Sequence, residues 1–343
     1  MTASAPPSPI VPERAAERAA DVSVVICAHL EERWDETLAA VASTAGQRLA
    51  PREIVMVVDH NRPLYERLRA ALPDVMVVEN REARGLSGAR NTGIALAGGE
   101  IVAFLDDDAI ASPDWLRFLT GPYARPEVVG VGGLSRPLWA TGRRPSWFPE
   151  EFDWVVGCGY RGLPTMPSPV RNLMGGNASF RREIFSSMAG GFRSDIGRRS
   201  DSQLPLGCEE TEFCIRLTQG RPGSVLVYDN RAVIWHRVPR DRARFRYFRT
   251  RCYAEGLSKA LVTDSVGAAV GLASERRHVA RALPAGVVRG MADALRGRPA
   301  GLARAGAITA GLGATVWGYG VGAARRRVGP ALVRRPGTKA PTR

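Results

Sequence analysis

The amino-acid sequence predicts an α/β fold, with a largely parallel central sheet between flanking helices and a basic helical region after it. Three observations lead there. From Asp21 onward, short β-branched runs alternate with stretches whose apolar residues recur at helical spacing. Turn-forming residues punctuate the alternation, and beyond about residue 240 strands give way to arginine-rich helical sequence.

Taken in order, VSVVICA (22–28), EIVMVV (53–58), VMVV (75–78) and IVAFL (101–105) read as strands. Between them ERWDETLAAVAST, PLYERLRAAL and GARNTGIALA read as helices, with Pro63 in a first turn, where its missing N–H costs nothing. Ser112-Pro113-Asp114-Trp115 reads as an N-cap, a proline at the first helical position and an acid in the first turn. Residues 135–175, rich in Pro, Gly and Trp, read as an irregular loop region, and VLVY (225–228) and AVIW (232–235) as two further strands. Ala305–Ala324 is free of charge, holds six glycines and precedes Arg325-Arg326-Arg327, which suits contact with a membrane surface or a plain packed helix better than a span. The expected division is a loose tail over 1–20 without a signal-peptide core and a core domain over 21–236, in halves 21–130 and 131–236. A basic helical region over 237–328 and a disordered tail over 329–343 follow.

Composition narrows the function. The chain of 343 residues carries +14, but residues 231–343 hold 23 Lys+Arg against 5 Asp+Glu, so the remainder is acidic. Lys259 and Lys339 are the only lysines, leaving 46 of the 48 basic residues as arginine, a bias that points away from nucleic acid as the partner. The basic third is drawn instead to anionic lipid or polyanions. Five cysteines without a CxxC argue against a disulfide framework and a thiolate zinc site, and fit a cytoplasmic protein, peripheral at the inner face of the cell membrane.

The chemistry centres on FLDDDAIASPDW (104–115). Three adjacent carboxylates repel one another and cannot be buried unpaired, so a positive group belongs there. The turn at a strand's carboxyl end is where open α/β sheets bind ligands, and oxygen ligands on a tight loop suit a hard divalent cation. No glycine or closing Glu stands at EF-hand spacing. A second acidic cluster, Glu209-Glu210-Thr211-Glu212, opens a helix-like stretch that can turn one glutamate to a cleft and Phe213 to the core.

With these motifs the chain resembles the family 2 glycosyltransferases. VSVVICAH resembles their opening strand, EIVMVVDHN the second strand with its base-reading acid, and GLSGARNTGI the helix facing ribose and diphosphate. FLDDDA resembles the DxD metal motif, GGNASFRREIF the acceptor-side segment, and GCEETEFCIRL the acidic catalytic motif. The similarity spans roughly residues 21–236 and implies a GT-A (Rossmann-like) fold. It also implies inverting transfer from a nucleotide-diphosphate sugar (UDP, GDP or dTDP) to a sugar, lipid-linked or small-molecule acceptor, assisted by Mg2+ or Mn2+.

Carried over residue by residue, the resemblance puts Ala28 and His29 at the nucleotide edge and Asp59 on the base. Asp106 and Asp108 form the metal-binding pair, Asp106 also facing the ribose, while Asp107 takes either role because three consecutive acids leave the register open. Arg90 contacts phosphate or orders the acidic turn. His236, after AVIW, is a third metal ligand or a diphosphate contact. Asn177 and Trp154 lie on the acceptor side. Glu210 stands where the family's basic Asp stands, one methylene longer, so the base is Glu210 or Glu209. Trp139, Trp147, Phe148 and Tyr160 either stack on sugars or pack the loop region. A nucleotide-sugar or polyanion binder without turnover is the alternative class. A dinucleotide oxidoreductase fails for want of GxGxxG after the first strand, and no nucleophile motif suggests covalent catalysis.

Overall fold

A computed structural model describes residues 20–187, 191–196, 204–267, 272, 275, 276 and 278–328. The tails expected over 1–20 and 329–343 lie outside the described residues, save Ala20. The first half alternates as expected: β1 (Ala20–Ala28), α1 (Trp34–Ala45), β2 (Pro51–Val58), α2 (Arg62–Ala71), β3 (Met76–Glu79), α3 (Leu86–Leu96) and β4 (Ile101–Asp106). These four strands are parallel, in the order β3-β2-β1-β4. Alternate residues of β1 reach opposite faces of the sheet. Val22, Val24 and Ile26 pack towards Ala40, Leu64 and Trp115, while Val25 joins Val55, Phe104 and Phe213 on the other side. Burial on both faces is why these strands read as continuous apolar runs.

Beyond β4 the structure departs from the sequence reading. A short strand β5 (Ala109–Ala111) follows the acidic triplet, so the triplet turns between two strands rather than into a helix. Ser112–Trp115 forms a turn, the Trp115 N–H donating to the Ser112 carbonyl at 2.9 Å, and α4 (Trp115–Thr120) begins two residues later than expected. Then come β6 (Val128–Trp139), β7 (Ser168–Val170), β8 (Asn177–Arg181), α5 (Glu183–Ser187), α6 (Glu209–Gly220) and β9 (Val225–Val238).

The whole sheet runs β3-β2-β1-β4-β8-β6-β9-β5, with β7 also on β9. It is therefore mixed: β8 lies antiparallel between β4 and β6, and β6 pairs parallel with β9. The two strands expected at 225–228 and 232–235 are one. The register against β6 slips between Asp229 and Val233, a bulge that the Asp229 side chain stabilises by accepting from the Arg231 N–H at 3.0 Å.

The C-terminal part is helical: α7 (Phe245–Val266), a short π-helical turn at His278–Ala282, α8 (Leu283–Leu295) and α9 (Ala300–Val328). Three glycines of the charge-free stretch, Gly311, Gly318 and Gly322, lie at the seam between α9 and α7. A Cβ on Gly318 would fall 2.1 Å from the Tyr253 carbonyl oxygen, and one on Gly256 of α7 2.1 Å from that of Thr315. Trp139, Phe148, Phe152, Phe248 and Ile308 form a third core joining this layer to the sheet domain. Trp139 and Phe148 therefore pack the interior, edge to face at 5.2 Å, instead of facing a sugar. No helix among the described residues is long and apolar enough to cross a membrane.

Candidate active site

Because β1, β2 and β4 are parallel, their carboxyl ends open on one edge, and a cavity of about 660 Å3 lies there. Ala28, His29, Asp59, Asp106, Asp107, Asp108 and His236 all line it. The Ala28 carbonyl accepts from the Asp59 N–H at 2.8 Å, tying the ends of β1 and β2 together. Asp59 accepts from the Asn80 amide at 2.7 Å and from the Gly85 N–H at the start of α3 at 2.9 Å. That fixes its carboxylate at the cavity wall. Cys27 also lines the cavity, but burial pushes its thiol up to about 12, so it supplies no thiolate nucleophile.

The triplet is held from the far side of the sheet. Ala109 of β5 pairs with His236 of β9, and the Arg237 N–H donates to the Asp108 carbonyl at 2.8 Å. His236 Nε2 lies 3.1 Å from Asp108 Oδ1 and 3.9 Å from Asp106 Oδ2. One ligand atom from each of Asp106, Asp108 and His236 falls within 4.8 Å of the others. Two carboxylates and an imidazole at that spacing fit one divalent ion, whose ligands sit about 2.0–2.6 Å from the metal.

The positive group that the sequence demanded is partly internal. Arg33 lies 2.7 Å from Asp107 Oδ1 and 3.0 Å from Asp108 Oδ2. Burial, only partly offset by Arg33, raises Asp107 to about 7, and its Oδ2 has no hydrogen-bond partner. For Asp108 burial works upward too, but the His236 imidazolium outweighs it and holds the carboxyl well below its usual range. His236 is raised in turn: its burial opposes the proton, and Asp108 more than compensates.

The second acidic cluster opens α6, and its first two glutamates have different surroundings. Glu209 is buried and its Oε1 takes Arg90 Nη1 at 3.2 Å, while Arg90 Nη2 lies 3.7 Å from Asp106 Oδ1. Arg90, itself buried, thus lies between the two clusters. Glu210 lines a second cavity of about 190 Å3 with Trp154, Tyr160, Met174 and residues of α7, α8 and α9. Burial first, then the neighbouring Glu209 charge, push Glu210 up to about 8. One wall carries a compensated charge network, in which Glu275 takes Arg171 at 2.8 Å and Lys259 at 2.6 Å.

Trp154 lines this second cavity, tilted against Phe152 at 5.5 Å. Asn177 does not. It is fully buried in β8, accepting from the Trp115 indole N–H at 2.8 Å and donating to the Ala232 carbonyl at 3.1 Å, so its amide serves the sheet. The segment before it does reach the site: a Cβ on Gly176 would fall 2.1 Å from Asp106 Oδ2. Gly176→Ala is therefore expected to displace the Asp106 carboxylate and weaken metal-dependent donor binding about ten-fold, a loss of about 1.4 kcal/mol. Titration calorimetry checks this, alongside a melting temperature near that of the parent chain.

The family profile described as "Glycosyl transferase family 2" matches residues 23–188. The glucosyl-dolichyl phosphate glucuronosyltransferase of Haloferax volcanii is 36% identical over 245 residues, covering 70% of this chain and 77% of that protein. This chain belongs to glycosyl transferase family 2. As a member it is a glycosyltransferase, an enzyme that draws on a nucleotide-sugar donor. The pre-mycofactocin glycosyltransferase of Mycobacterium tuberculosis is 28% identical over 163 residues, 48% of this chain, which spans 32% of that protein's length. Among solved structures, the mannosyltransferase PcManGT from Pyrobaculum calidifontis, in complex with GDP-Man and Mn2+, superposes with a TM-score of 0.53. It is 19% identical over 91% of both chains, a likeness of fold that confirms the GT-A architecture.

The glycosyltransferase cavity also contains residues that the sequence reading passed over. Arg33, Arg242, Arg244 and Arg246 line it, with Tyr247 beside them at the start of α7. They set a basic wall against the acidic turn, the charge pattern a diphosphate needs on its metal-free side. The density of arginine directly after His236 was the available signal, masked by an arginine-rich composition.

Proposed function

We propose that this family 2 glycosyltransferase moves a sugar from a nucleotide-diphosphate donor to an acceptor hydroxyl with inversion, using Asp106, Asp108 and His236 as ligands for Mg2+ or Mn2+. The observation that carries the reading is the division of the acids. One cluster has metal-ligand spacing in the large cavity; the other turns a carboxyl with a raised pKa into the adjoining one. The cavities meet on α7, where Thr250 lines the first and Arg251 the second.

In this reading Ala28, His29 and Asp59 hold the nucleotide, Asp59 taking the base edge. Asp106 or Asp107 takes the ribose, and the Arg242–Arg246 wall takes phosphate oxygens. The divalent ion supplies charge neutralisation for the departing diphosphate. Glu210 accepts the acceptor's hydroxyl proton as the oxygen attacks the anomeric carbon opposite the leaving group, and a carboxyl near neutral pKa is suited to that transfer. Glu209 is the weaker candidate, because its charge is committed to Arg90. Inversion follows from a single displacement with one base and no enzyme nucleophile.

Trp154 and Tyr160 then present the acceptor to Glu210. The apolar side of that cavity, with Leu283 and Leu312, favours a lipid-linked acceptor, as does the name of the Haloferax relative. The enzyme then works at the inner face of the membrane.

A thermal-shift panel of UDP-, GDP- and dTDP-sugars, each with Mn2+ or EDTA, tests the donor half. A ligand that binds only the folded state raises the melting temperature, by about 2.7 kcal/mol of stability at one hundred times Kd. One nucleotide is expected to shift it, with Mn2+ only, and NMR of the product should show an inverted anomeric centre. A shift with EDTA removes the metal from the reading, and retained anomeric configuration removes the single displacement. Donor binding without turnover on any sugar or lipid acceptor leaves the binder without turnover as the better description.

A further inference from the structure

The outer surface of the α8–α9 hairpin is unlike the rest of the molecule. Every exposed position of α9 between Leu302 and Ala324 is uncharged. At 100° per residue those positions occupy an arc of about 140°, opposite Gly311, Gly318 and Gly322, which seat the helix against the protein. The large side chains on this arc stand out: Leu302 is 61% exposed, Val316 62% and Trp317 70%.

The adjoining helix repeats the pattern. Val288, Met291 and Leu295 lie three and four residues apart, one face of α8, at 65%, 53% and 90% exposure. An apolar surface on this scale marks an interaction site rather than ordinary surface.

Charge identifies what covers it. After Glu275 the chain has 14 Lys+Arg and one acid, Asp293, and that acid is taken by Arg304 at 2.5 Å. Arg281 lies exposed before α8, Arg296 and Arg298 at the hairpin turn, and Arg325 near the end of α9, so cations flank the apolar faces at their ends. An apolar stripe between arginines, on helices too weakly apolar to span, is the pattern of a helix lying in a membrane interface. Anionic headgroups satisfy the arginines while the side chains between them enter the acyl boundary.

We infer that the α8–α9 hairpin docks this enzyme on an anionic bilayer, with Val288, Met291, Leu295, Leu302, Val316 and Trp317 as the inserted side chains. The inference deepens the lipid-linked acceptor reading and rests on it for its purpose. The inner sides of the same helices, through Leu283, Leu312 and Thr315, line the cavity of Glu210. Docking therefore brings the acceptor cavity's own wall to the lipid.

The test is flotation of the full chain with vesicles of phosphatidylcholine alone or mixed with phosphatidylglycerol, together with quenching of tryptophan fluorescence by brominated lipid. Binding to the mixed vesicles is expected, with a quenched component that Trp317→Phe removes. The double variant Met291→Ser, Leu295→Ser should lose at least about ten-fold in affinity. Leu302→Ser, a single exposed change, repeats the test in case the double variant misfolds.

Equal binding by all variants, or binding without quenching of Trp317, overturns insertion in favour of charge attraction alone. No vesicle binding also overturns it; a concentration-dependent dimer lost in the same variants would then identify a second copy of the chain as the occupant. Metal-dependent donor binding is measured on each variant, so failure of docking and failure of the transferase reading remain distinguishable.

Discussion

Asp108→Asn is expected to abolish the Mn2+-dependent part of donor binding and to lower turnover by about 10²–10³ or more, the range for loss of one charge-stabilising group in a transition state. Asparagine keeps the volume of a nearly dry site, so the change tests charge rather than packing. It removes the charge of one of three clustered ligands, and with it the counter-charge that holds the proton on His236. Arg33 keeps its 2.7 Å contact with Asp107, so the turn retains a partner and the fold should survive. Thermal shift with and without EDTA reads the outcome. A variant that keeps the metal-dependent shift shows that the Asp108 charge is not needed for the metal, and Asp108→Ala, which removes the oxygen as well, then decides whether it is a ligand.

Glu210→Gln is expected to leave donor affinity nearly unchanged while transfer falls by about 10²–10⁴, the usual contribution of a general base. The parent enzyme's kcat/KM should rise with pH through about 8, because the carboxyl, raised by burial and by Glu209, must lose its proton to act. The variant's residual rate should lose that limb. Stability supplies an independent sign. Between the ordinary carboxylate range and about pH 8 the folded chain keeps a proton that the unfolded chain releases, so stability falls as pH rises through that window. Glutamine escapes the penalty, and the variant should melt higher than the parent at pH 8. Unchanged transfer in Glu210→Gln moves the role to Glu209.

The sequence was most legible where burial is symmetrical. β1, β2 and β4 are apolar on both faces, so runs such as VSVVICA and IVAFL announce themselves and bring their carboxyl-end residues to one edge. β6 was hidden because Gly130, Gly132 and Gly133 fill positions where Phe180, Leu173 and the Ala232 carbonyl leave no room for a Cβ, and glycine-rich sequence reads as loop. The metal-ligand spacing of Asp106, Asp108 and His236 was anticipated from ordered motifs, while Arg33 and the Arg242–Arg246 wall were lost among many arginines. Asn177 shows a different limit. A motif places a residue near a site but not on which side of the sheet its amide turns, and here the indole of Trp115 claims it.

Arg33 gives the acidic turn a further property. With a guanidinium already lodged against Asp107 and Asp108, the ligand-free carboxylates are not an open trap for any passing cation. On the proposed metal site, a divalent ion would compete with that guanidinium for Asp108, and a diphosphate in the same cavity would offer it new oxygens, so the proposal expects ion and nucleotide to bind with positive coupling.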